Sequence, residues 1–148
     1  MSYSEMAIPN RSEHQWRYTS WEKIHPSDVN SIPEIETATV LLSEESISPL
    51  SKREFDAKAD ISRVFMQEVN SEMYSIKLDK SNDYNTIEIN SNKTHAICHL
   101  NLAVESSTAL QIIMSGECEW LGIHITGNIK QNCNLIVGIL NNLNNECK

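Results

Sequence analysis

The 148-residue chain has little of what marks several common classes of protein. Its 12 Lys and Arg face 20 Asp and Glu, giving a net charge of −8. This balance argues against nucleic acid as the main partner, because binding to phosphates depends on clustered basic side chains. No apolar run approaches the roughly 20 residues that a membrane-spanning helix needs, so no membrane role is expected. The first ten residues lack a basic start and an apolar stretch, so no secretory signal is predicted.

Motifs of catalysis and nucleotide binding are also missing. The sequence has no Gly-x-Ser-x-Gly motif and no glycine-rich loop to hold a phosphate, so neither an enzyme nor an ATP-binding protein is predicted. The four cysteines include no Cys-x-x-Cys pair. Without a signal peptide they are interpreted as reduced thiols of a cytoplasmic protein rather than as a secreted disulfide framework.

Proline and glycine divide the chain into two kinds of sequence. All four prolines lie in the first third and all four glycines in the last 33 residues. We predict an N-terminal helical or irregular segment, a β-rich segment and a polar tail, over residues 1–70, 71–142 and 143–148. Pro33, followed by Glu34 and Glu36, predicts a short helix with Val40, Leu41 and Leu42 as its apolar stripe.

A second helix is predicted over residues 51–69. Ser51 and Glu54 have the spacing of a capping box at its start. Ile61, Val64 and Phe65 recur at helical intervals within it.

After residue 70 the apolar residues alternate with a period of two, which predicts strands. The strands begin with residues 73–78 and 86–89 and continue through residues 96–104, 110–114, 121–125 and 135–140. Polar turns of three to five residues separate several of them. This pattern fits a meander, a sandwich or a β-solenoid of stacked short strands, and the alternation alone does not choose among them.

Three aromatic residues and several possible metal ligands are the candidate site residues. Trp16, Tyr18 and Trp21 form a cluster that is interpreted first as a packing anchor and second as a partner-binding patch. His99 and His124 fall on the outward face of their strands. If those strands are neighbours, the two histidines and Cys118 are weak candidates for a metal site, against a default of solvated surface histidines.

The cysteines have simpler interpretations as well. Cys98 falls on an apolar strand face and is expected to pack in the core. Cys118 and Cys147 lie in polar sequence and are expected to be exposed and inert, although they could also bind a metal or become oxidised.

The N-terminal segment resembles the opening of SufD-type proteins in the SufB/SufD family. The resemblance lies in residues 8–11 (IPNR) and 15–19 (QWRYT), where Pro and Arg precede Trp, a basic residue, Tyr and Thr. One departure is that Glu13 lies three residues before Trp16 rather than next to it. In the second half, residues 99–105, 110–113, 124–126 and 132–135 are similar, in their order, to the repeating rungs of that family.

The resemblance implies a mainly β protein with a partial right-handed parallel β-helix behind a helical N-terminal segment. It also implies a SufD-like scaffold or accessory subunit in iron–sulfur cluster assembly, with SufB-like and SufC-like partners. A transient cluster would be held in that complex, and no cluster ligand is assigned to this chain. The family's later rungs and C-terminal helices have no counterpart here, so a truncated subunit is expected.

Two alternatives stay open beside the SufD-like scaffold: a small metal-binding protein and an inactive fragment of such a subunit. The last rung of a solenoid exposes a strand edge and an apolar cross-section. The polar tail is expected to cap them poorly, so a partner or a homo-oligomer is expected to cover that end.

Overall fold

A computed structural model describes residues 2–50, 60–69, 72–79, 84–144 and 146–148, and in these ranges the chain is mainly β. The strands are β1 (Glu36–Thr37), β2 (Thr39–Leu42), β3 (Glu45–Ile47), β4 (Met73–Leu78), β5 (Tyr84–Asn90), β6 (His95–Val104), β7 (Thr108–Gly116), β8 (Trp120–Ile129) and β9 (Leu135–Leu143). The α-helices are α1 (Trp21–Ile24) and α2 (Ile61–Glu68), and 3₁₀ turns span Tyr3–Glu5 and His14–Trp16.

The strands form two sheets in which the chain alternates from β4 onwards. In sheet A, β8 pairs in parallel along all of β6, while β1 and β4 pair in parallel with successive parts of β6. Sheet B has the order β3-β2-β5-β7-β9, and β5, β7 and β9 are parallel. Each strand from β4 to β7 therefore pairs with the strand two places later in the chain.

The main core lies between the two sheets and follows the predicted alternation. Alternate residues of β6 are buried in it, beginning with Ala96, Cys98 and Leu100. Sheet B supplies Ile87, Ile89, Leu110 and Ile112 to the same cluster. The six strands predicted after residue 70 are confirmed as β4 to β9, because a sheet with one face on a core requires a period of two.

A second core covers the other face of sheet A. Ile97, which alternates with the residues of the main core, is fully buried here beside Trp120. The N-terminal layer, which we define as residues 2–35 together with α2, contributes Tyr3, Trp21 and Phe65 to this cluster. Strand β6 is thus buried on both faces over residues 96–100.

The helix predicted from Pro33 is wrong. Residues 36–47 form β1, β2 and β3, and Val40 is buried in the main core, where it pairs with both Ile47 and Ile89. The local signals were misleading because tertiary pairing outweighs helix propensity in so short a segment. Ser43 and Glu44 have φ values of 48° and 71° and make the turn between β2 and β3.

The second predicted helix is confirmed over Ile61–Glu68, but a helix continuous from residue 51 is wrong, because Asp60 is extended with φ −127° and ψ 114°. The proposed capping box at Ser51 and Glu54 lies outside the described residues. Asp60 is the N-cap of α2, and its Oδ1 accepts hydrogen bonds from the backbone N–H groups of Ser62 and Arg63. Ile61, Phe65 and Val69 face the second core at intervals of four residues.

Candidate functional site

The two candidate histidines are brought together by the pairing of β6 with β8. His99 and His124 are register partners, and their ring centroids lie 5.6 Å apart at an interplanar angle of 83°. Both alternate with residues of the main core, as the sequence predicted. The default of a solvated surface histidine is wrong for His99, which is 5% exposed, because its face of sheet A is covered by the second core.

Cys118 is placed against another cysteine. Its Sγ lies 3.2 Å from Sγ of Cys147, and its side chain is buried, so the expectation of an exposed thiol is wrong. Burial, and next the neighbouring Cys147 thiol, raise the pKa of Cys118 to about 12. Among the described residues, no group of three His, Cys, Asp or Glu side chains is arranged to hold a metal ion.

The aromatic cluster is divided between the core and the surface. Trp21 is buried, and Trp16 packs against it edge to face with ring centroids 5.6 Å apart. Tyr18 is 91% exposed. The interpretation as a packing anchor is therefore confirmed for Trp21 and Trp16, while Tyr18 takes no part in it.

Trp21 lies in a cluster of rings that the sequence did not predict. Its Nε1–H donates a 2.9 Å hydrogen bond to the Tyr3 hydroxyl, and the Tyr3 ring stacks on His25 at 5.6 Å. Phe65 contacts all three rings. Burial raises the pKa of Tyr3 and lowers that of His25, since both charged forms are disfavoured away from water.

A groove of about 530 Å³ runs between α2 and β8. We call it the α2–β8 groove. Trp120 closes one part of it, with its Nε1–H donating a 2.7 Å hydrogen bond to the carbonyl oxygen of Ile24. Gly122 lies under this indole, and a Cβ at that position would approach the ring to 2.3 Å. His124 also lines the groove, as do Arg63 and Lys148.

Strands β8 and β9 carry a concentration of exposed apolar side chains, and we call these two strands the open end. In the described residues, β8 pairs with β6 alone and β9 pairs with β7 alone, so each is the last strand of its sheet. Half of the large apolar side chains that are exposed in these ranges lie on the two strands. They are Ile125, Ile129, Ile136, Val137, Ile139 and Leu140.

The sequence predicted an exposed strand edge and an apolar cross-section at the last strand, but it did not predict the exposure of Ile136 and Leu140. Val137 and Ile139 continue the inward-facing rows of Leu110 and Ile112, as the alternation predicted. Ile136 and Leu140 have the opposite parity and lie on the other face of β9, where they are 72% and 43% exposed. The sequence signal for this exposure was the apolar run of residues 135–140, which only Gly138 interrupts. Apolar residues occupy both odd and even positions of this run, so both faces of the strand are apolar.

Cys98 lies where the sequence predicted, in the core between the sheets, and burial raises the pKa of its thiol to about 12. No helix in the described ranges has the length and apolar character needed to cross a membrane. Comparisons of the chain with protein-family models, with curated proteins and with solved structures gave no match.

Proposed function

We propose that this chain is a non-catalytic scaffold subunit that acts by protein–protein contact at the open end. The main support is the concentration of exposed apolar side chains on the last strand of each sheet. Contiguous exposed apolar surface is rare on isolated proteins and commonly marks an interaction site. In the described ranges no further strand pairs with the outer edge of β8 or β9, although the N–H of Leu121 donates to the carbonyl oxygen of Lys148, so two sheet edges accompany these side chains.

The proposed fold is a partial right-handed parallel β-helix. Its support is the repeated parallel pairing of strands two places apart, in which the register shifts by 25 residues from β6 to β8 and by 27 from β7 to β9. Parallel strands joined by a crossover within one sheet are right-handed in about 98% of proteins. Such a coil would present both sheet edges at one end, with β8 and β9 as its last two strands.

The proposed partner is a SufB-like protein that offers its own two-sheet end. The open end would fit a partner with two strand edges and apolar side chains between them, because backbone hydrogen bonds and apolar contacts could then form together. The SufB/SufD resemblance of residues 8–19 supplies the identity of that partner and the proposed cytoplasmic role in iron–sulfur cluster assembly. The cluster is cargo of the complex, and the ATPase of that complex is a SufC-like protein.

Co-purification with the SufB-like and SufC-like proteins of the same organism tests this proposal. We expect the wild-type chain to be retained by the tagged SufB-like protein, and the double variant V137K/I139K to lose at least tenfold in retention. Leu50→Lys is the matched control, because Leu50 is 69% exposed and lies outside β8 and β9. Absence of retention, or equal retention of V137K/I139K and the wild type, would refute the proposal.

Light scattering separates this partner from a second copy of the chain. A stable dimer that V137K/I139K dissociates would show that the open end serves self-association instead of a SufB-like partner. A monomer at micromolar concentration that binds no hydrophobic dye would count against any role of the open end in contact.

A second candidate function, metal binding, rests on the adjacent imidazoles of His99 and His124. Imidazole is a common ligand of zinc, and the pair would supply two of the usual four ligands. Elemental analysis of the purified chain, compared with His124→Asn, tests it. Zinc or iron that is bound stoichiometrically by the wild type and lost in H124N would favour this function, and its absence from the wild type would exclude it.

A further inference from the structure

The thiols of Cys118 and Cys147 meet at a defined place in the fold. Their Sγ atoms are 3.2 Å apart, although the two residues are 29 positions apart in the chain. Cys118 is 2% exposed and Cys147 is half-buried. A small oxidant therefore reaches Cys147 more easily than Cys118.

Backbone hydrogen bonds hold the segments that carry the two cysteines. The N–H of Lys148 donates to the carbonyl oxygen of Glu119 at 2.8 Å, and the N–H of Leu121 donates to that of Lys148 at 3.0 Å. On the other side, the N–H groups of Glu119 and Trp120 both donate to the carbonyl oxygen of Thr94. The proximity of the two thiols is therefore set by the backbone rather than by side-chain rotation alone.

The other two cysteines have different surroundings. Cys98 is fully buried in the core between the sheets. Cys133 is half-buried, and its thiol donates to the carbonyl oxygen of Glu105 at 3.6 Å. Of the four thiols, the structure thus brings Cys118 and Cys147 together as a pair.

We propose that Cys118 and Cys147 are the site of a reversible intramolecular disulfide, formed by hydrogen peroxide or by a low-molecular-weight disulfide. With peroxide, the sulfur of Cys147 loses its proton and attacks one peroxide oxygen. The O–O bond breaks, one oxygen leaves as water and the other remains as a sulfenic acid. The Cys118 sulfur then attacks Sγ of Cys147, the S–O bond breaks, and the second oxygen leaves as water with the proton of Cys118.

The two thiols together lose two electrons and become one disulfide, and one peroxide is reduced to two waters. In a reducing compartment the resting state is the dithiol, and the bond forms during oxidation and is reversed by thiol exchange. The disulfide would fix Lys148, which lines the α2–β8 groove, to the beginning of β8.

Counting free thiols in the denatured chain, before and after treatment with one equivalent of peroxide, tests the site. The wild type should fall from four thiols to two, and dithiothreitol should restore all four. Cys147→Ser should retain three thiols under the same treatment, whereas Cys118→Ser should stop at the sulfenic acid of Cys147 and fall from three thiols to two without forming a disulfide. Cys133→Ser is the matched control and should fall from three to one.

Tryptic mapping assigns the bond. The expected disulfide joins peptide 94–130 to peptide 131–148, survives in C133S, and is absent in C118S and C147S. Oxidation should also raise the thermal midpoint of the wild type by about 10 °C, because the bond closes a loop of about 30 residues. Four thiols remaining in the treated wild type, a cross-link between two chains, or a bond that persists in C118S would overturn the proposal.

Discussion

Removal of the Phe65 ring should weaken the packing of the N-terminal layer on sheet A. Phe65 is fully buried, and its ring lies 4.9 Å from that of His25, 5.5 Å from that of Trp21 and 6.0 Å from that of Trp120. The Phe65 side chain of α2 thus contacts both the N-terminal rings and Trp120 of β8. Phe→Ala substitutions in cores cost about 3–5 kcal/mol through lost transfer energy and the cavity that remains.

Phe65→Ala is therefore expected to lower the free energy of unfolding by about 3–5 kcal/mol. Since a domain of this size has about 5–15 kcal/mol in total, the variant should remain partly or wholly folded. Equilibrium urea unfolding, followed by tryptophan emission, measures the loss directly, because Trp21 and Trp120 lie in the same cluster. Phe65→Leu keeps a large apolar side chain and should lose less.

Tyr18→Ala is the matched control, since it removes an aromatic ring that is 91% exposed. It should change the free energy of unfolding by no more than about 0.5 kcal/mol. If F65A loses under about 1 kcal/mol, or no more than Y18A, the second core does not stabilise the fold in the way derived from its contacts.

Three further substitutions test other parts of the structure. Asp60→Ala removes the N-cap of α2 and should cost about 1 kcal/mol in urea unfolding, whereas Asp60→Asn should cost less. Burial lowers the pKa of His25 below its ordinary value of 6.5, so the unfolded chain binds a proton at this residue more readily than the folded chain does. The free energy of unfolding should therefore fall as the pH drops below about 6.5, and His25→Phe should make this dependence on pH shallower. Gly122→Ala should displace the Trp120 indole, shift its emission to the red, and cost about 1–3 kcal/mol, while an unchanged spectrum would contradict the close approach at Gly122.

The strands of the second half were predictable because the alternation of apolar and polar residues in the local sequence indicates which side chains face the core. The apolar residues alternate along each of them, and in β4 and β5 burial alternates in the same way, as from Tyr74 to Ile76 and Leu78. Cys98 was placed correctly for the same reason. The pairing of strands two places apart could not be predicted from the local sequence, because it depends on which apolar faces meet after the chain turns.

The errors have equally specific causes. The turn at Ser43 and Glu44 has positive φ at both residues, a conformation usually signalled by Asn-Gly, so the sequence contained no hairpin signal there. The burial of His99 depends on a cover that comes from the distant N-terminal layer. The burial of Cys118 depends on its contact with the segment around Cys147. The polar residues next to Cys118 in the sequence did not indicate this contact.

The hydrogen bond between Trp120 and Ile24 joins parts of the chain that are far apart in sequence, which has a consequence for folding. Register partners in the parallel pairs from β4 to β9 are 25 to 27 residues apart, so each closes a loop of similar length as the chain proceeds. The bond from Trp120 to Ile24 spans 96 residues and requires β8 to be in place. Because longer loops cost more entropy to close, we expect docking of the N-terminal layer to be a late kinetic phase, seen in the emission of Trp120 after the sheets have formed.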